Sequence, residues 1–293
     1  MRPLHVLLAI VIAVVWGFNF VIIKVGVAEV PPFLLTGLRF LICAVPTIFF
    51  VPKPRVSWTY VVSFGLMLSI GQFVFLFLAV YLGISASLAS LVLQLQVFFT
   101  MFFAVFALKE FPKLAQIIGA GLAFGGIGLI ASERWSGPDA WPLVLCVLAA
   151  VGWGAPNIIA KWAEPESAVS FVVWSSLAAP IPLFAMSWEF EDHDKIAAVF
   201  FHPTVLGTVA IFYLAYLSTL FGYSAWNYLL KRYPAGTVAP FTLLVPLFGI
   251  ASGILVLGEG FDRFEIAGAL LVTTGLVIAN FGMTIFRLKR AEP

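Results

Sequence analysis

Five amide side chains stand out among those inside apolar stretches of this sequence: Asn19, Gln72, Gln94, Gln96 and Asn157. An amide both donates and accepts hydrogen bonds, so a group of them suits a polar solute without net charge. Trp16 and Trp153 lie close to the two asparagines, and Tyr213, Tyr216, Tyr223, Trp226 and Tyr228 crowd one later stretch. Rings carrying one polar atom make a suitable cavity wall for small organic solutes. Tyr216 and Tyr223, seven apart, are expected on one helix face. Gln94 and Gln96 are two apart, so at most one is expected to point into a cavity. The acids are informative by position: all 14 Asp and Glu residues fall in connecting segments or near the end of an apolar stretch. Proton relays inside a membrane normally use a buried carboxylate, so carboxylate-coupled proton antiport is not expected. Arg39 lies about two turns inside its apolar stretch. It is read either as a structural residue or as an attractor of anions. Glu110 and Glu259, each at a stretch end, are read as turn or gate residues.

Enzyme chemistry finds no support. There is no His-Glu-x-x-His, no Gly-x-Gly-Asp, no Ser/His dyad and no paired acids within a stretch. Catalytic residues, metal and cofactors are all expected to be none. Cys43 and Cys146 have no ligand spacing and read as small packing residues.

These residues need elements to hold them. The chain is 62% hydrophobic and 10% charged, with mean hydropathy +1.08, whereas soluble domains run at about 25% charged. Ten stretches are long enough to cross a bilayer: 4–24, 33–51, 59–81, 85–107, 114–131, 141–162, 169–188, 206–229, 237–257 and 264–286. The first follows Arg2 and is read as an uncleaved span rather than a signal peptide. The segment Glu189–Pro203, rich in acids, is expected to be a solvated loop. With ten spans both termini share a side, and eleven of the 16 basic residues fall there against four on the other. Basic loops stay in the cytoplasm, so cytoplasmic termini are expected. Trp58, Trp135, Trp141, Trp162 and Trp188 fall at span ends, where headgroups hold such rings.

The sequence repeats itself. Adding 149 carries Ala86, Leu108, Glu110, Ile117, Gly119, Ala120, Leu122 and Gly126 onto identical residues, Glu110 onto Glu259 among them. Adding 137 carries Ala13, Val14, Trp16, Gly17, Ile22 and Lys24 onto Ala150, Val151, Trp153, Gly154, Ile159 and Lys161. Five spans per copy is an odd number, so the second copy enters the membrane from the opposite side. The expected fold is all-α and integral to the membrane: ten helices as two inverted five-helix repeats, 1–133 and 139–290, around a central cavity. Inverted repeats characterise secondary transporters. Gly121-x-x-x-Gly125 and Gly249-x-x-x-Gly253 are expected to pack helices closely within one chain.

Four segments, Val15–Lys24 (VWGFNFVIIK), Gly37–Phe40 (GLRF), Ala89–Gln96 (ASLVLQLQ) and Leu243–Gly249 (LLVPLFG), resemble the EamA family of the drug/metabolite transporter superfamily, and the likeness runs over essentially the whole chain. That resemblance implies ten spans, a cavity lined by spans 1, 3, 4, 6, 8 and 9, and export of amino acids or other metabolites. The family's Trp-Gly-x-Asn element maps onto Trp16, Gly17 and Asn19. The second copy departs from it: Pro156 takes the matching position and Asn157 comes one residue late.

The function expected is a bacterial inner-membrane exporter of neutral and aromatic amino acids with broad specificity. It works by alternating access and is facilitated rather than carboxylate-proton coupled. Alternatives are an exporter of cysteine-pathway or other small metabolites, a sugar-phosphate or nucleotide-sugar type transporter, and a membrane scaffold. The sugar-phosphate reading wants several mid-membrane cations and finds only Arg39. Expected partners are the solute and the lipid bilayer, with no nucleic acid, and the protein is expected to be a monomer or weak dimer.

Overall fold

A computed structural model describes residues 1–134, 140–233 and 235–288. Trp135 and the basic pair Lys289 and Arg290 lie outside the described residues. Among the described residues, ten helices are long and apolar enough to cross a membrane. They are α1 (Pro3–Glu29), α2 (Pro32–Phe49), α3 (Trp58–Tyr81), α4 (Ala86–Leu108), α5 (Leu114–Glu133), α6 (Ala140–Ala163), α7 (Ala168–Phe190), α8 (Val205–Arg232), α9 (Pro240–Leu257) and α10 (Arg263–Phe281). The segment between α7 and α8 is more than a loop. It holds a short surface helix, His193–Phe201, whose start is fixed by Asp192 accepting from the Asp194 N–H.

Local chemistry sets the helix ends. Side-chain oxygens of Ser57, Ser85, Ser167 and Thr204 accept from the first-turn amides of α3, α4, α7 and α8, satisfying donors that a helix leaves unpaired. Asp262 and Glu265 form a reciprocal cap on α10. Each fourth helix of a copy ends in a left-handed residue, Lys109 on α4 and Gly258 on α9, with φ of 57° and 66°. These two positions are 149 apart, and the glutamate follows each of them.

Helix packing follows the inverted repeat. The closest pairings join the two halves: α1 with α9 and, reciprocally, α6 with α4; α3 with α6 and α8 with α1; α2 with α8 and α7 with α3. Three pairings are their own counterparts, α2 with α7, α4 with α9 and α5 with α10. In the last, Gly119 meets Gly275 and Gly126 meets Gly268. A contact repeated with its partners exchanged is what a two-fold axis imposes. The chain is therefore an all-α integral membrane fold of two inverted five-helix repeats around a central cavity.

Both copies break their third and fourth helices at matching places. The third helices contain π-helical turns, Met67–Val74 in α3 and Tyr213–Phe221 in α8. The fourth contain 3-10 turns, Leu93–Leu95 in α4 and Ala239–Leu243 before the main body of α9. Such turns shift side-chain phase and loosen carbonyls, and they recur at functional sites.

The two small-residue motifs have different fates. Gly249 and Gly253 pack on Ser90 and Ser87 of α4, as expected. A Cβ added at Gly121 or Gly125 would meet no atom of the chain within 4 Å, so that motif faces out of the bundle and the expectation of packing within the chain does not hold there. The tightest crossing is elsewhere. A Cβ on Gly152 of α6 would overlap the Gly71 carbonyl group of α3. Gly152→Ala is therefore expected to force these backbones apart and lower stability by about 1–3 kcal/mol, while Gly121→Ala is neutral. Melting temperatures in detergent check both, and equal values would contradict the packing described.

Candidate functional site

The central cavity has a volume of about 590 Å³, within the usual range for small-molecule sites. One wall is aromatic. The rings of Trp16 and Tyr223 are 5.7 Å apart, Trp16 and Trp226 5.5 Å, and Trp153 stacks on Tyr223 at 6.4 Å. The Trp16 indole N–H donates to the Ser218 carbonyl across 3.0 Å, a carbonyl within the π-helical part of α8.

Amide groups fill the remaining wall. Asn19, Gln72, Gln94, Gln96 and Asn157 all line the cavity. Asn157 donates to Thr100 Oγ1 at 3.0 Å. Asn19 Oδ1, Gln72 Oε1 and Gln96 Oε1 are buried without a partner. Both glutamines of α4 therefore reach the cavity, against the expectation of one. The cause is the 3-10 turn at Leu93–Leu95: three residues per turn instead of 3.6 brings positions two apart from about 160° to about 120° of separation.

The tyrosines of α8 divide. Tyr223 lines the cavity. Tyr213 and Tyr216 do not: the Tyr213 hydroxyl donates to the Val15 carbonyl and its ring meets Phe18, while Tyr216 stacks on Phe212 toward the outside. The π-helical turn between positions 213 and 221 widens the spiral, so Tyr216 and Tyr223 lose the shared face that α-helical spacing predicts.

Several lining residues were not singled out by sequence: Leu93, Val97 and Thr100, which share a stripe of α4 with Gln96, and Asn227 and Leu230, which share one of α8 with Tyr223 and Trp226. Both have the i, i+3, i+4, i+7 spacing of a helix face, a signal available in the sequence. α2 and α7 also contribute, through Arg39 and through Ala168, Phe171 and Val172, beyond the six helices the resemblance implies. Arg39 is 2% exposed and stands in the cavity wall. The lining residues include no Asp or Glu, and among the described residues no His/Cys/Asp/Glu cluster could hold a metal ion.

The two ends of the cavity differ. The wall continues through Asn157, Ala160, Pro165, Ala168 and Leu230 to the end of the bundle holding the loops after α4, α6 and α8. There Glu110 pairs with Lys161, and both side chains are more than half exposed. The other end is sealed. Ala86–Val92 of α4 are all buried, and the start of α4 is gripped from two sides. Glu259 accepts from Ala86 N at 2.7 Å, Ser87 N at 2.9 Å and Ser87 Oγ at 2.7 Å. Lys24 donates to the Ile84 carbonyl at 3.1 Å. At this same end Glu191 accepts from Phe33 N and Leu34 N, the first amides of α2, and from Ser187 Oγ. Burial raises the Glu191 carboxyl above its ordinary pKa, against the lowering effect of these bonds.

The EamA-like transporter family model matches residues 3–132 and 140–281. The chain is 41% identical to a probable amino-acid metabolite efflux pump of Salmonella typhimurium strain LT2, over 97% of each chain. It is 39% identical to a protein of the same description from Escherichia coli K12, over 94% of each. One crystal structure covers 95% of this chain and 98% of its own with a TM-score of 0.63 at 19% identity, which shows the same fold.

An unpartnered buried amide oxygen costs about 1–3 kcal/mol. Gln72, 2% exposed with Oε1 unpaired, is such a group. Gln72→Leu is expected to hold or raise the melting temperature of the solute-free protein. A clear fall would mean that Gln72 is a structural bond rather than an open acceptor.

Proposed function

Since the chain belongs to the EamA-like transporter family, we propose that it exports amino acids and related metabolites across the bacterial inner membrane by alternating access. One observation carries the mechanism: within a two-fold frame, the cavity is open at one end and latched at the other. The names of the relatives at about 40% identity support the substrate class. The wall of Trp16, Trp153, Tyr223 and Trp226 with its amides suits neutral and aromatic side chains. Ten apolar helices suit an inner membrane, since outer-membrane spans are typically β-barrels. The excess of basic residues in one set of loops supports cytoplasmic termini and, with them, a cytoplasmic open end. The protein thus stands ready to load from inside. Residues 1–133 and 139–290 are the two moving copies, and one chain supplies the whole wall, so a monomer suffices.

The latch and its counterpart describe the switch. Adding 149 carries Glu110 onto Glu259, Ala86 onto Ala235 and Ile84 onto Tyr233; adding 137 carries Lys24 onto Lys161. At the sealed end the lysine and the glutamate are apart, each gripping the start of α4. At the open end their counterparts grip each other. Exchanging the copies' conformations gives the outward-open state: Glu110 takes the amides of Ala235 and Gly236, Lys161 takes the Tyr233 carbonyl, and Lys24 pairs with Glu259. Each of the four charged groups keeps a partner in both states, so neither state strands a charge near the membrane. With no carboxylate in the wall, the solute gradient itself drives export.

Two measurements test this reading. Reconstituted protein is expected to speed the flux of a panel of Phe, Thr, Met and Cys above that of empty vesicles, and flux is expected to persist when the pH gradient is collapsed. Flux equal to empty vesicles rejects the substrate class, and complete dependence on the gradient rejects the uncoupled mechanism. The second uses Ile23, which is 0% exposed and maps onto the cavity-lining Ala160. Glu259→Ala removes three bonds to a charged group, so Ile23→Cys is expected to react with a maleimide about tenfold faster or more in that background. Cys43 and Cys146, both 0% exposed, stay silent. An unchanged rate contradicts the latch.

A further inference from the structure

We propose that Arg39 is the carboxylate anchor of the transported solute, and that the unpartnered amide oxygens of Asn19, Gln72 and Gln96 receive its ammonium group. This rests on the reading of the chain as an amino-acid metabolite exporter and narrows it: the site selects solutes that carry a carboxylate.

Arg39 sits about two turns from the start of α2, toward the sealed end of the cavity. Its Nε donates to Thr219 Oγ1 at 3.0 Å and its Nη2 reaches Ser218 Oγ at 3.5 Å. Its guanidinium carbon lies 3.9 Å from the centre of the Phe73 ring. These neutral contacts hold and orient the group without cancelling its charge. Nη1 is buried and has no partner. A guanidinium does not deprotonate in proteins, and a buried arginine is normally matched by a carboxylate. None stands in this wall.

The residues lining the cavity therefore hold one fixed positive charge with an unused donor, and three unused acceptors, all four atoms lying beneath the wall surface in this conformation. Asn19 Oδ1, Gln72 Oε1, Gln96 Oε1 and Arg39 Nη1 make up four of the six buried side-chain atoms without a partner among the described residues. All four belong to cavity-lining residues, while the other two, on Ser170 and Ser175, do not. A carboxylate facing a guanidinium and an ammonium facing amide oxygens is the complement of that set. One carboxylate neutralises the wall. A sugar phosphate brings more negative charge than one arginine balances.

The test compares three probes on the reconstituted wild-type protein: phenylalanine, its decarboxylated amine phenethylamine, and 3-phenylpropionate, which lacks the ammonium. Inhibition of phenylalanine flux and melting-temperature shifts are read for each. Phenylalanine is expected to bind best, 3-phenylpropionate more weakly, and phenethylamine about 10- to 100-fold more weakly than phenylalanine. Arg39→Gln is expected to raise KM for phenylalanine by a similar factor and to erase its preference over phenethylamine, with Arg39→Lys between. A wild type that takes phenethylamine as well as phenylalanine overturns the anchor while leaving the exporter reading intact. Flux of no amino acid overturns both. An Arg39→Gln protein that folds and still prefers phenylalanine shows Arg39 to be a strut only.

Discussion

Backbone amides at the start of a helix need acceptors, and inside a membrane water does not supply them. In this protein the start of α4 receives its acceptor from the far half of the chain. Glu259, just past the end of α9, closes on Ala86 N, Ser87 N and Ser87 Oγ. That bond set joins the two copies at one end of the cavity and leaves the other end open. The left-handed Gly258 turns the chain so that the carboxylate reaches back, and Lys109 makes the same turn at the other end, before Glu110. A helix cap, ordinarily a local device worth about 1 kcal/mol, becomes a contact between domains once its acceptor comes from the other copy.

The cavity between the copies is built by departures from regular helix. The π-helical turn of α8 offers the Ser218 carbonyl to Trp16 and the Ser218 and Thr219 hydroxyls to Arg39. The 3-10 turn of α4 brings two glutamines to one space. The third helix of the first copy carries its own π-helical turn, and with it Gln72. Polar groups left open here cost stability that the apolar contacts around them offset. Unsatisfied groups gathered in one cavity, rather than scattered, point to a ligand.

Much of this was legible in the sequence because it depends on composition and period. Ten spans, the inverted repeat and the paired glutamate turns follow from hydropathy and from residue identities at fixed offsets. The amides and Trp16, Trp153 and Tyr223 stand in the cavity wall because a polar group inside an apolar span has few other places to go. Two of the misreadings share one cause, the assumption of an unbroken α-helix. Regular phase put Tyr216 beside Tyr223 and separated Gln94 from Gln96, and a local change in residues per turn reversed both. Arg39 was placed by depth along its helix, and its position in the wall depends on how α2 packs against α8, which no single-chain period encodes. The outward-facing Gly121 and Gly125 show that small-residue spacing permits close packing without choosing the partner.

In the proposed alternating-access cycle, the contact between the start of α4 and the end of α9 must open for a solute to cross. Ser87 Cβ lies 3.3 Å from where a Cβ on residue 253 would stand, close to the separation a disulfide spans. Ser87→Cys with Gly253→Cys therefore offers a reversible lock. Flux through the reconstituted double variant is predicted to stop on oxidation and to return on reduction. Undiminished flux through the oxidised, fully cross-linked protein would contradict the account.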